Sequence, residues 1–116
     1  SPGEIELRKF LWEHREGLAH AAALLAARRG VRLFTAISEA LEQPGRITRR
    51  LHRHLLELRG ILFLENVHDD PEGDYRGLQM LEPEDPVVPE ICLLADGLNE
   101  ALCAAGITPI SDERAA

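Results

Sequence analysis

The residues best suited to bind a charged ligand lie in one short stretch, GRITRRLHRHLLELRG, which runs from Gly45 to Gly60. This stretch holds five arginines, two histidines and one acidic residue, although the whole chain has a formal net charge of −7. A guanidinium group binds phosphate and carboxylate equally well through its paired N–H donors. The stretch is therefore a candidate surface for nucleic acid, for an acidic partner protein or for the chain's own acidic residues.

Charge is divided unevenly along the chain. Residues 1–64 carry eleven basic and seven acidic side chains, whereas residues 65–116 carry two basic and thirteen acidic side chains. The acidic residues at 69–74 and 82–85 are thus candidate partners for the arginines. Exposed ion pairs of this kind add only about 0–1 kcal/mol each, but they could orient the acidic half. A protein whose two halves carry opposite charge also suits a partner that is itself charged.

Metal binding and catalysis receive little support from the sequence. His52 and His54 would point about 200° apart on a helix, and His14 and His20 are also poorly spaced for one metal ion. His68 precedes two aspartates in what reads as a polar turn. The chain has no G-x-S-x-G motif and no phosphate-binding glycine loop. We therefore expect no metal site, no cofactor and no enzyme activity.

The two cysteines point to a reducing compartment. Cys92 and Cys103 would share a helix face but lie about 16 Å apart along the axis, which is too far for a disulfide. We expect both to be small core residues of a cytoplasmic protein. No apolar run approaches the length of about 18 residues that a membrane helix needs, and SPGEIELRK has no apolar signal region.

Length and periodicity predict a single, mainly α domain. A chain of 116 residues that is 45% hydrophobic and 28% charged is typical of one folded domain. Apolar residues at spacings of three and four predict four helices. The predicted helices cover 4–29, 31–43, 46–59 and 86–105, with Gly30, Pro44–Gly45 and Gly106 as end signals and Asp85 as an N-cap. We expect a helical domain over 1–106 and a flexible tail over 107–116.

The third helix is predicted to be amphipathic, and the terminal helices to form a homodimer. The third helix has one apolar stripe, made of Ile47, Leu51, Leu55, Leu58 and Leu62, and its other side carries arginines. The first helix has a small-residue face at 20–27, and the last has a long apolar stripe. One chain of this size would struggle to cover both, so a dimer built from these helices is expected.

The segment that follows the third helix has two interpretations. Residues 61–67 can continue the helix, because its apolar period runs on to Leu62. Alternatively, 61–68 and 75–81 form two strands around the turn DDPEGD. The hairpin is slightly preferred, since Gly60 follows a helix and Gly73 lies in a turn. The fold is then four helices with a β-hairpin; the alternative is an all-α bundle.

The order of a short helix, a Pro–Gly turn, a basic helix and a possible hairpin resembles the winged helix-turn-helix regulators. The stretch that carries the resemblance is FTAISEALEQPGRITRRLHRHLLELRGIL, residues 34–62, with a possible wing at 61–81. In these families the helix after the turn enters the major groove. The resemblance implies that the DNA-facing residues are Arg46, Thr48, Arg49, Arg50 and Arg53.

Two functions are therefore expected. The first is a small regulatory DNA-binding protein that uses the basic helix 46–59 and dimerises through its terminal helices. The alternative is a non-enzymatic helical interaction module, similar to an adaptor, inhibitor or antitoxin, whose arginines bind an acidic partner protein.

Overall fold

Four helices account for most of the chain that the computed structural model describes, residues 1–65 and 81–107. They are α1 (Pro2–Glu13), α2 (Arg15–Leu41), α3 (Arg49–Leu62) and α4 (Val87–Ala104). No strand occurs in these two ranges. The prediction of a mainly helical domain is confirmed, while the helix boundaries near the N-terminus differ from those expected.

The first predicted helix is interrupted twice. It breaks at His14 (φ −109°, ψ 17°), where α1 ends and α2 begins. α2 then bends at Ala27 (φ 51°, ψ −132°) into two arms, 15–26 and 28–41. This corner brings Gly30 so close to the Ala22 carbonyl that no Cβ would fit, whereas eight residues of straight helix span about 12 Å. The predicted helix end at Gly30 is therefore wrong, because Gly30 is the contact point of the corner.

The second arm of α2 and α3 run antiparallel. Arg29 forms an ion pair of 3.5 Å with Glu57 at one end, while Ala40 and Leu51 line one groove at the other. Residues 42–48 join the two helices. The predicted apolar stripe of α3 is confirmed, since all five of its members are buried, namely Ile47, Leu51, Leu55, Leu58 and Leu62.

α1 and α4 also run antiparallel, and glycines allow them to approach closely. Gly3 lies against the carbonyl of Ala104, and a Cβ on Gly97 would be 2.7 Å from Cε1 of Phe10. The apolar stripe of α4 is buried by these contacts and by the rest of the core, through Ile91, Leu94, Ala95, Leu98 and Leu102. The two terminal helices therefore cover each other within one chain.

This packing removes the reason for expecting a dimer of the terminal helices. The small-residue face of α2 is also buried, through Ala21, Ala22, Leu25 and Ala26. The premise that a single chain cannot cover both faces is therefore wrong. A homodimer remains a prediction, without the surface that was assigned to it.

The predicted first strand is wrong over 61–65. α3 continues through Ile61 and Leu62, and residues 63–65 form a turn. Ile61 and Leu62 are 1% and 4% exposed, and a helix can bury both, whereas neighbouring residues of a strand point to opposite faces. Residues 66–80, with the predicted turn and nearly all of the second strand, lie outside the described residues.

The ends of α4 follow the sequence signals closely. A carboxylate oxygen of Asp85 accepts a hydrogen bond of 3.0 Å from the Val87 N–H, so the predicted capping residue does cap the helix. Gly106 (φ 79°) ends it. Ile107 is 3% exposed and donates its N–H to the Leu102 carbonyl over 2.8 Å. The first residue of the predicted tail thus packs on the domain, while 108–116 lie outside the described residues.

The cysteines are not core residues. Both Cys92 and Cys103 are exposed, because the buried stripe of α4 leaves these positions on the outer side of the helix. The prediction that they fill the core is wrong.

Candidate functional site

Four arginines form an exposed positive surface at the start of α3. We call the surface made by Arg46, Arg49, Arg50 and Arg53 the arginine face. The three on α3 lie within an arc of about 100° at 100° per residue, opposite the buried leucines. All four are exposed, and none of their side chains forms a hydrogen bond or ion pair with another residue of 1–65 or 81–107. No described residue therefore occupies their guanidinium groups.

The acidic segment 82–85, a candidate partner of the arginines, does not pair with this surface. Glu82, Glu84 and Asp85 form no ion pair with the arginine face, and Asp85 instead caps α4. The ion pairs that were considered between the arginines and 82–85 are therefore not formed. The other acidic segment, 69–74, lies outside the described residues.

The fifth arginine of the stretch, Arg59, has a different role. Its Nε donates a hydrogen bond of 2.8 Å to Asn99 of α4, and its Nη1 forms an ion pair of 2.8 Å with Glu65. The guanidinium carbon also lies 4.5 Å from the ring centroid of Phe63. Arg59 therefore ties α3 to α4, and the structure separates it from the four exposed arginines.

Thr48 serves as the N-cap of α3. Its Oγ1 accepts a hydrogen bond of 3.1 Å from the Leu51 N–H, which helps to fix where the helix begins. The hydroxyl hydrogen is still available to donate to an anion. The free N–H groups of the first turn and the positive end of the helix dipole add to the attraction at this end.

A shallow groove of about 230 Å³ separates this end of α3 from the second arm of α2. Arg50 and His54 line it from α3, and Glu39 lines it from α2. Glu39 is exposed, and its carboxylate would repel a phosphate that approached Arg50. The positive surface thus has an acidic edge on the α2 side.

Contacts with α1 hold the loop before α3 in place. Arg8 donates from Nη2 to the Gly45 carbonyl over 2.8 Å and from Nη1 to the Leu41 carbonyl over 3.4 Å. The Ile47 N–H donates to a carboxylate oxygen of Glu4 over 3.2 Å. These contacts fix the backbone that carries Arg46 and the start of α3. No sequence signal indicates them, because they join residues about 40 positions apart.

An exposed aromatic residue lies on α1. Trp12 is 63% exposed, and the guanidinium carbon of Arg15 lies 3.9 Å from its ring centroid. Ile5, seven residues earlier and so on the same side of the helix, is 64% exposed. Sequence reasoning missed this apolar patch, because it considered only the small-residue face of the first predicted helix.

Metal clusters, buried polar side chains and membrane-spanning helices are absent from the described part of the chain. No three His, Cys, Asp or Glu side chains there converge to hold a metal ion, and no polar or charged side chain is buried. None of the four helices is long and apolar enough to cross a membrane.

The structure places all five predicted DNA-facing residues at the start of α3 or in the loop before it, namely Arg46, Thr48, Arg49, Arg50 and Arg53.

Comparison of the chain with family models, with curated proteins and with solved structures gave no match. Its function is therefore inferred from the geometry and charge of its own residues.

Proposed function

We propose that the protein is a small, non-enzymatic regulator that binds duplex DNA through the arginine face. The observation that carries this proposal is the set of four exposed arginines at the start of α3, none of them engaged by a described residue. In helix-turn-helix proteins the N-terminal residues of the recognition helix contact base edges. Arginine is suited both to phosphates and to bidentate contacts with guanine.

The support beneath α3 favours the same function. The loop that carries Arg46 is fixed by Arg8 and Glu4, and the leucine stripe holds α3 against the core. A surface that is already ordered loses less conformational entropy on binding. Thr48 and the first-turn N–H groups can donate to a phosphate between the arginines.

A second candidate is a helical interaction module that binds an acidic partner protein through the same arginines. Two observations favour it. α3 remains helical through Leu62, where the winged-helix layout expected a strand. The connection between α2 and α3 covers 42–48, which is longer than the turn of about 3–4 residues usual in helix-turn-helix motifs.

The test is a titration of fluorescently labelled random duplex with the full chain, followed by anisotropy at several salt concentrations. We expect binding at low salt that weakens as salt rises, because each bound phosphate releases counterions. The double variant Arg49→Gln, Arg50→Gln should bind more weakly and lower the salt slope by about one for each phosphate that it no longer binds. An unchanged circular dichroism spectrum would show that the variant is folded.

The matched control removes the same charge elsewhere. Arg28 and Arg32 are exposed on the second arm of α2, near the end where Arg29 meets Glu57. The double variant Arg28→Gln, Arg32→Gln should keep most of the affinity. Equal losses of affinity in both double variants, or no duplex binding by the wild type at low salt, would contradict the proposal. Binding of polyglutamate without duplex would favour the second candidate.

A further inference from the structure

A second surface of opposite charge lies at the junction of α1, α2 and α4. It is a groove of about 430 Å³ around His14, the residue where α1 ends and α2 begins. We call it the His14 groove; its lining residues are Phe10, Glu13, His14, Glu16, Gly17, Glu90, Leu93 and Leu94. Leu93 is 74% exposed, so the groove presents apolar surface to the solvent.

Three carboxylates surround this apolar surface. The carboxylates of Glu13, Glu16 and Glu90 form no hydrogen bond or ion pair with another residue of 1–65 or 81–107. The carboxylate of Glu90, on α4, lies close to α2, since a Cβ on Gly17 would be 3.8 Å from Oε1 of Glu90. An apolar floor with an unpaired acidic rim suits arginine, whose aliphatic stem packs on apolar surface while its guanidinium binds carboxylate.

The arginine face lies outside the His14 groove of its own chain, since none of its residues lines that groove. The loop that carries Arg46 is held at Glu4 of α1 by the Ile47 N–H. His14 lies ten residues further on, about 15 Å along the helix axis. The loop contacts one side of α1, through Glu4 and Arg8. The last helix, α4, contacts α1 at Gly3 instead. The Arg46 side chain does not span this separation.

We infer that the arginine face of one copy docks into the His14 groove of a second copy. The contact is heterologous, so a row of copies keeps one free surface of each kind, one at either end. It rests on exposed ion pairs, and it should therefore be weak and sensitive to salt. The same arginines are proposed to bind DNA, so duplex and a second copy would compete for them. The inference rests on the exposed arginines and not on DNA binding itself.

Sedimentation velocity of the full chain tests this contact. At low salt the weight-average sedimentation coefficient should rise with protein concentration, and at about 0.5 M salt it should return to the monomer value, because screening then acts within a few ångströms. The triple variant Glu13→Gln, Glu16→Gln, Glu90→Gln should remain monomeric at low salt. The matched control is Glu82→Gln, Glu84→Gln, Glu100→Gln, which removes the same charge from exposed positions outside the groove and should still associate.

A mixing experiment tests the pairing of the two surfaces directly. The groove variant keeps its arginine face, and Arg49→Gln, Arg50→Gln keeps its groove, so neither should associate alone. Mixed together they should form a heterodimer and nothing larger, because each supplies the surface that the other lacks. A wild type that stays monomeric at low salt, or a groove variant that associates like the wild type, would overturn the inference.

Two further outcomes separate the possible occupants. If the protein binds DNA, added duplex should dissociate the assemblies; if it does not bind DNA, salt-sensitive association should still occur. Binding of an arginine-rich peptide to the groove of a wild type that never self-associates would overturn the inference, since the groove would then serve a foreign basic partner.

Discussion

The two sides of the molecule are held together by different kinds of contact. Between α2 and α3 the core is made of large branched side chains, and Leu55 and Leu58 are completely buried there. Between α1 and α4 the helices approach through glycines, with Gly3 against a carbonyl and Gly97 against the ring of Phe10. Leucines at helical spacing are visible as a pattern in a sequence, whereas a glycine contact depends on what the other helix places opposite it.

The charged surfaces of the two sides differ in the same way. The arginine face comes from one helix and the loop before it, so its residues lie close together in the sequence. The His14 groove is assembled from α1, α2 and α4, with Glu13 and Glu90 far apart in the chain. A surface on one helix can be found by periodicity, but a groove between three elements requires knowledge of how they pack.

The largest expected effect is the loss of a leucine between α2 and α3. Leu55→Ala should lower the free energy of unfolding by about 2–5 kcal/mol, the range for a fully buried leucine. The control Leu93→Ala removes the same atoms from a position that is 74% exposed, and it should change stability by less than about 0.5 kcal/mol. Urea denaturation measures both.

A smaller loss of stability in Leu55→Ala than in Leu93→Ala would contradict the described packing of α2 against α3. A stable Leu55→Ala would mean that α3 is rotated about its axis from the described position. Arg49, Arg50 and Arg53 would then no longer share one exposed face, and the proposed DNA-binding surface would need other residues.

Much of the fold was predictable because helical periodicity carries it. The mainly helical class, the buried stripe of α3 and the exposed arginines all follow from residue spacing. The boundary near residue 30 was wrong, because Gly30 is a good end signal by itself and Ala27 is a good helix former. Only the contact between Gly30 and Ala22, a tertiary feature, explains why the chain bends three residues earlier.

The candidate site was predictable in part for the same reason. The sequence identified the residues of the arginine face and left Arg59 out of the DNA-facing set. It did not predict the role of Arg59, since the bond of this residue to Asn99 joins two helices that are distant in the chain. The hairpin prediction relied on Gly60 as a break. Gly60 is instead buried inside α3, where the apolar residues on either side of it keep the helix intact.

An intermediate effect is expected where a glycine separates α1 and α4. A glycine-to-alanine change inside a helix normally stabilises it by about 0.5–1 kcal/mol. Gly97→Ala should instead destabilise the protein by about 1–2 kcal/mol, because its Cβ would lie 2.7 Å from the Phe10 ring and overpacking costs about 1–3 kcal/mol.

A double-mutant cycle sharpens this prediction. Phe10→Leu removes the ring that the new Cβ would meet, so Gly97→Ala should be less harmful in that background than in the wild type. Equal effects in both backgrounds would show that the two residues do not touch. The described close contact between α1 and α4 at Gly97 would then be wrong.

The smallest expected effect lies at the corner of α2, which connects the two sides. Ala27 has φ 51° and ψ −132°, a conformation that costs a side-chain-bearing residue about 1–3 kcal/mol and that glycine adopts freely. Because glycine also gains entropy in the unfolded chain, Ala27→Gly should raise the free energy of unfolding by about 0.5–1 kcal/mol net.

The control Ala23→Gly lies within the helical first arm of α2, and there the same substitution should lower the free energy of unfolding by about 1 kcal/mol. The two variants therefore differ in sign, which thermal or urea unfolding detects more securely than a difference in size. If both were destabilising to the same degree, residue 27 would be helical and α2 would run straight. Gly30 would then be far from Ala22, and α3 with its arginines would point away from α1 and α4. The opposite signs expected here would instead support the corner, because the glycine relieves strain only where the chain turns.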